Sequence, residues 1–304
     1  MPSYPRKKIV DDEEMGTYHC ISRCVRRAFL CGKDAYTNHD YNHRRKWVED
    51  LLQKNSLLFL VEVHSYAIMS NHIHLQLRTR PDKAKHLSDE EIIERWWMLS
   101  SSRSGVRLSE ELKMEWLSSK EFCYKIRQRL CSLSWFMRYL VEPIARKANK
   151  EDGVTGRFWE GRFKSIKVLD DMAKLETAIY IDLNPVKAGI ATKIDDSHYT
   201  SIHARIVRNI SKQYTMFPPI LSETGNVDPL PFFYMEEKSY IDCVKLRAEA
   251  ILAQKKMAIN FDKRDQFVKS CITAIGSAQT MEEEAKKKGK KWLKGIRLAR
   301  SFTQ

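Results

Sequence analysis

Two histidines one apolar residue apart stand in the run Asn71-His72-Ile73-His74-Leu75. Side chains on a strand alternate between faces, so His72 and His74 would leave the same side of an extended segment. Neutral imidazole is the commonest metal ligand, and two on one rigid strand arrive already oriented. Farther on, Tyr180 and Asn184 are four residues apart and would share a face of a helix. If that helix crossed a sheet near the histidine strand, two imidazole nitrogens and an amide oxygen would make a mixed site with open positions. Such a set suits Mg²⁺ or Mn²⁺, which keep water and take phosphate oxygens as remaining ligands. A metal-bound phosphate is a better electrophile, and the Tyr180 phenol is the group able to attack it.

Each residue alone has a plainer reading. A strand His-x-His is more often structural than ligating, and a helical tyrosine more often packs with its hydroxyl at the surface. Asn184 precedes Pro185, a position biased away from helical geometry and common at helix ends. His19, with Cys20 and Cys24, is read as part of a buried strand rather than as a metal site.

The elements that must position these residues follow from periodicity. Residues 17–25 read as a first strand and 43–58 as a helix with Trp47, Leu51 and Leu52 on one stripe. Residues 59–69 and 72–79 read as two adjacent strands. Ser88 with Glu91 makes a capping box that opens the next helix, followed by a helical insertion near 97–120. A long helix is expected over 122–147, with Pro143 as its kink, and a fourth strand over 158–168. The last helix of this part, 170–187, carries Leu175, Ile179 and Leu183 as its apolar stripe, with Tyr180 and Asn184 beside it. The order predicts an α+β fold: a ferredoxin-like βαββαβ core with an antiparallel sheet, followed by the helix of Tyr180. One sheet face is expected to stay open as a platform for nucleic acid. Residues 1–200 would form this domain. Residues 201–304 would be a basic, mostly helical C-terminal extension, entered through Pro218, Pro219, Pro229 and Pro231.

A net charge of +14 favours a polyanionic partner, nucleic acid first. With 43% hydrophobic and 30% charged residues, the chain is globular rather than disordered. No run approaches the ~20 apolar residues of a spanning helix, so no membrane partner is expected. Seven cysteines without a C-x-x-C pair suggest a reduced, cytoplasmic setting rather than a zinc ribbon. Arg157, Arg162, Lys164 and Lys167 interleave with Phe158, Trp159 and Phe163, pairing cations for phosphates with rings for unstacked bases. Phe158 and Phe163 are assigned to the core, and Arg23, Arg26 and Arg27 are weaker DNA-binding candidates. The basic run 286–300 reads equally as a solvated tail or as a binder of DNA backbone.

Taken together, these segments resemble a known family. Met69-Ser70-Asn71-His72-Ile73-His74-Leu75 is similar to the HUH motif of single-tyrosine transposases, where U is a bulky apolar residue. The run from Tyr180 through Asn184-Pro185-Val186-Lys187 to Ile190 resembles the nucleophile helix of that family, most closely its REP-associated members. Gly156-Arg157-Phe158-Trp159-Glu160-Gly161-Arg162-Phe163-Lys164-Ser165 resembles the strand before that helix. Ser70 departs from the proline usual there, which alters a turn rather than the chemistry. The resemblance implies metal ligation by His72 and His74, Asn184 as third ligand and Tyr180 as nucleophile. It also implies Mg²⁺ or Mn²⁺ as cofactor, cleavage of single-stranded or hairpin DNA to a 5′-phosphotyrosine, and a bacterial, nucleoid-associated setting. A homodimer exchanging the Tyr180 helix would assemble the same site in trans. The competing reading is a hairpin-binding protein derived from a transposase that no longer cleaves. A histidine-triad hydrolase is excluded because Gln76 stands where its third alternate histidine would be.

Overall fold

The computed structural model describes residues 9–25, 30–34, 38–100, 108–211, 235–256 and 263–301. The first part of the chain forms β1 (Gly16–Arg23), α1 (His43–Leu58), β2 (Val61–Ile68), β3 (His72–Thr79), α2 (Pro81–Ala84), α3 (Asp89–Ser100), α4 (Glu110–Ser118), α5 (Lys120–Cys131) and α6 (Leu133–Glu151). It continues through β4 (Lys164–Val168), α7 (Asp171–Asp182), α8 (Asn184–Lys187) and α9 (Ser201–Ser211). The later elements are α10 (Glu237–Lys256), α11 (Lys263–Ser270), β5 (Ala274–Ile275), α12 (Ala278–Lys287) and α13 (Ile296–Arg300).

The strands form one sheet in the order β2-β3-β1-β4-β5. The first four are mutually antiparallel, and β5 joins β4 in parallel. The fold is α+β, but the sheet is mixed rather than purely antiparallel. The extra edge comes from the C-terminal part: Lys167 N donates to Thr273 O (3.0 Å) and Leu169 N to Ile275 O (2.8 Å).

Alternation along β3 sorts its side chains into two environments. Ile73, Leu75 and Leu77 join Tyr18, Cys20, Val63 and the apolar sides of α1 and α6 in the largest core cluster. His74, Gln76 and Arg78 point the other way, and all are buried. The expected open platform is therefore absent here, because α7 lies over this face. Gln76 Nε2 donates to Lys174 O of α7 at 3.0 Å.

α7 is buried on two sides. Ala173, Tyr180 and Ile181 cluster with Ile166 and Val168 of β4 and with Phe267 and Cys271. Ala178, Ile179 and Leu183 cluster with Tyr240, Val244 and Ala248 of α10. The stripe of Ile179 and Leu183 thus meets a C-terminal helix, while Tyr180 takes the side toward the sheet. Buried Asp182 fastens the two layers, accepting from Tyr240 Oη (2.6 Å), Ile202 N (3.0 Å) and Ser201 Oγ.

Other boundaries differ from expectation for local reasons. The long helix expected over 122–147 is two helices, broken at Ser132, whose ψ of 123° is extended, while Pro143 sits inside α6. The helix expected to reach 187 stops at Asp182, and Asn184-Pro185 opens α8 instead. The fourth strand starts only at Lys164. The Ser88 capping box forms as expected: Ser88 N and Oγ donate to Glu91 Oε2, and Glu91 N donates to Ser88 Oγ. In the insertion, Trp116 of α4 packs on Trp97 of α3 with ring centroids 5.9 Å apart. The run 286–300 is folded rather than a free tail, with Leu293, Ile296 and Ala299 in the cluster that holds Tyr180. None of the seven cysteines forms a disulfide. Among the described residues no helix is long and apolar enough to cross a membrane. Arg26, Arg27 and the four prolines between 218 and 231 lie outside the described residues.

Candidate metal and nucleophile site

β3 and α7 bring the two histidines and the tyrosine together. Ring centroids are 4.7 Å apart for His72 and His74 and 5.7 Å apart for His74 and Tyr180. Both contacts are edge-on. Tyr180 is 8% exposed and His74 4%, so the cluster is mostly buried.

The structure adds a third imidazole. His19 of β1 stacks on His74 (5.1 Å) and meets Tyr180 edge-on (5.9 Å). His19 Nε2 and His74 Nδ1 are 2.9 Å apart, within hydrogen-bonding distance. The first strand was read as ordinary core because His19 reaches the site only through the antiparallel register of β1 and β3. The remaining signal in sequence was its even spacing with Thr17 and Ile21, which puts it on the face later shared with His74.

Protonation favours ligand chemistry. Burial, with Arg23 adding to it, holds His72 down at about 4. Burial, then His19, His72 and Arg23, holds His74 well below the usual imidazole range. His19 is lowered to about 3 by burial and by His72. All three rings are therefore neutral at pH 7 and carry a lone pair. His72 Nδ1 lies 2.5 Å from Asn71 Oδ1. An amide oxygen only accepts, so Nδ1 holds the proton and Nε2 the lone pair. If His74 Nδ1 donates to His19, its Nε2 is likewise left for a ligand. This is the usual arrangement of metal-binding histidines, one nitrogen fixed by a neighbour and the other presented.

The protein donors do not form a closed cage. Among the described residues no group of three or more His, Cys, Asp or Glu side chains is arranged to hold a metal. Two neutral imidazoles fit a divalent ion that retains water and takes phosphate oxygens. Asn184, partly buried, gives its Nδ2 to Tyr180 O (2.8 Å) and Ile181 O (3.4 Å), capping α7.

Positive charge flanks the pocket. Arg23 is exposed and is the register partner of His72. Lys187 Nζ lies 5.1 Å from the Tyr180 ring centroid, within cation–π range. Its role was not read from sequence, although seven residues is two helical turns. Arg157, Arg162 and Lys164 are exposed on the segment entering β4. That segment is tied to β1 through Val25 N to Phe158 O (2.9 Å) and Glu160 N to Arg23 O (2.8 Å). Trp159 is partly buried, donating Nε1–H to Val141 O (2.7 Å) and meeting Phe158 edge-on. Lys167 is half-buried and pairs with Glu284 at 3.9 Å. The two arginines and Lys164 are thus exposed to solvent, while Trp159 and Lys167 are engaged within the fold.

No protein-family model matches the chain, and no curated protein matches it. Among solved structures the chain is similar to that of a REP-associated tyrosine transposase bound to a REP hairpin. The similarity covers 76% of this chain and 99% of that one, at 12% identity and a TM-score of 0.41. At that distance the functional reading has to stand on the site itself.

Proposed function

We propose that this chain is a metal-dependent endonuclease and strand transferase of the single-tyrosine HUH transposase type, acting on single-stranded or hairpin DNA. In this reading β1 to β4 are a ferredoxin-like core and β5 an appended edge. The observation that carries it is the meeting of the His72, His74 and Tyr180 rings in one mostly buried cluster.

His72 and His74 would hold the divalent ion through Nε2, and Asn184 Oδ1 would be the third protein donor. When bound, Mg²⁺ or Mn²⁺ supplies polarisation of the scissile phosphate and neutralises developing negative charge. Tyr180 Oη forms the bond to phosphorus while the bond from phosphorus to the 3′ oxygen breaks. The phenolic proton leaves with water and the 3′ oxygen departs as a hydroxyl. Arg23 and Lys187 keep the phosphate at the pocket mouth by charge. Exposed Arg157, Arg162 and Lys164 guide the backbone toward it.

Tyr180→Phe deletes only the attacking oxygen. Hairpin binding should persist while the covalent DNA adduct and cleavage disappear, read on a denaturing gel with labelled DNA. Undiminished cleavage by Tyr180→Phe would end the reading. A non-cleaving hairpin binder is the second reading, favoured by the Asn184 amide nitrogen being committed to α7 carbonyls. The absence of any adduct from wild type with Mn²⁺, together with tight hairpin binding, would select it.

A further inference from the structure

The run 286–300 carries eight basic residues and no acid. Three have acidic partners: Lys287 with Glu14 (3.7 Å), Lys288 with Glu284 (2.7 Å) and Arg300 with Glu282 (2.8 Å). Lys286, Lys291, Lys294 and Arg297 are exposed and have no acidic partner among the described residues. Among them stands Trp292, 64% exposed. A tryptophan in that position loses apolar burial worth roughly 2 kcal/mol or more, so its exposure needs a reason.

The surface is held in place. Leu293, Ile296 and Ala299 are buried beneath it in the cluster that contains Tyr180, Ile181 and Ile166. The loop between α12 and α13 turns at Gly289 and Gly295, whose φ values are +63° and +102°. A Cβ at Gly295 would lie 2.6 Å from Cys271 Sγ, so the loop presses directly on α11. Charge and ring are therefore fixed relative to the helix carrying the nucleophile, unlike those of a diffuse tail.

We infer that Lys286, Lys291, Lys294 and Arg297 around Trp292 form a docking surface for single-stranded nucleic acid. The strand flanking the cleaved site lays its phosphates on the cations and stacks one base on the indole. The inference rests on the DNA reading of the Tyr180 site. Unpaired cations match a phosphate backbone, and an exposed ring offers every base a stacking face without choosing among them. Duplex DNA keeps its bases stacked and leaves the indole unused, so the surface prefers the single strand.

The test uses the full chain and two labelled DNA probes, a hairpin with a single-stranded flank of about ten nucleotides and the same hairpin without it. The triple variant Lys286→Gln, Lys291→Gln, Lys294→Gln should flatten the dependence of log affinity on log salt by about two on the flanked probe, at roughly 0.7 per cation removed. Trp292→Ala should weaken the flanked probe by about fivefold or more and spare the unflanked one, whereas Trp292→Phe should restore binding. Thermal unfolding reports that each variant is folded. Wild-type affinity and salt slope in the triple variant would overturn the inference. So would an equal loss by Trp292→Ala on both probes. Loss of binding to phosphatidylserine vesicles with DNA binding intact would assign the surface to a membrane instead. If Tyr180-dependent cleavage persists while these variants bind normally, only the docking surface fails. If cleavage never depends on Tyr180, the site reading fails whatever this surface does.

Discussion

The two faces of β3 are built from alternate residues of the same eight-residue strand, yet they answer to different demands. Ile73, Leu75 and Leu77 are fully enclosed by apolar neighbours. His74, Gln76 and Arg78 are just as buried but among polar groups. On the second face some groups are well satisfied: Arg78 and Arg80 both reach Glu62, at 2.6 Å each, and Lys83 joins them at 2.9 Å. Others are not, since His19 Nδ1, Gln76 Oε1 and Thr177 Oγ1 are buried with no hydrogen-bond partner among the described residues. Unsatisfied buried polar atoms cost about 1–3 kcal/mol each. A protein selecting only for stability would fill this face with aliphatics, as it does on the other. On the proposed reading, the polar face is where stability has been given up for chemistry.

The largest effect expected from breaking this contrast is on activity. His74→Ala removes the better enclosed ligand and should lower cleavage by about 10³-fold, the rate equivalent of several kcal/mol of charge stabilisation. Mn²⁺ binding followed calorimetrically should weaken in parallel, and cleavage within tenfold of wild type would rule out a ligand role.

Next in size is the ion cluster at the far end of the same face. Burial alone would raise the Glu62 carboxyl, but neutral His64, Arg78 and Lys83 reverse this and hold it well below the usual carboxylate range. A carboxyl lowered on folding stabilises the native state above its unfolded value of 4.5, and that contribution disappears as pH falls through the folded value. Glu62→Gln should therefore cost about 4 kcal/mol at pH 7, because two buried guanidinium groups lose their counter-charge. The gap to wild type should narrow below about pH 4. Urea unfolding at pH 7 and pH 3 checks this, and a gap independent of pH would contradict it. On the apolar face, Leu75→Ala should cost about 3 kcal/mol through the cavity it opens, yet leave the Mn²⁺ affinity within about twofold. Linked losses of stability and metal binding would show that the two faces do not act separately.

How much of this was legible in sequence follows the same division. The meeting of His72, His74 and Tyr180 was legible from their types and spacing together with the family resemblance. α1 was read with its observed ends because its periodicity is local. What escaped depends on partners far along the chain. His19 enters the site only through strand register, and the true partner of Ile179 and Leu183 is α10, beyond residue 236. The sheet face is covered by α7, whose own apolar stripe turns to α10 instead, while the parallel β5 and the folded basic run come from C-terminal segments whose apolar residues have no periodicity tied to the sheet they meet. The break between α5 and α6 falls at Ser132, whose backbone is extended, while Pro143 lies inside α6.

The smallest effect expected is also the most discriminating. His19 and Gln76 are direct register partners on β1 and β3, and their orphaned atoms are a ring nitrogen and an amide oxygen. A hydrogen bond between them would complete a chain in which His74 Nδ1–H donates to His19 Nε2, His19 Nδ1–H to Gln76 Oε1, and Gln76 Nε2–H to Lys174 O. Only with this direction of donation does His74 keep its Nε2 lone pair for a metal. Gln76→Met keeps the length and removes the amide, so His74 should lose its tautomer preference and Mn²⁺ affinity should fall about tenfold. Gln76→Glu keeps an acceptor for His19 and should hold the tautomer. The ¹⁵N shifts of the His74 ring report the tautomer directly, without any cleavage assay. If Gln76→Met leaves those shifts and the Mn²⁺ affinity unchanged in a folded protein, the unpaired atoms of His19 and Gln76 have no part in preparing the site.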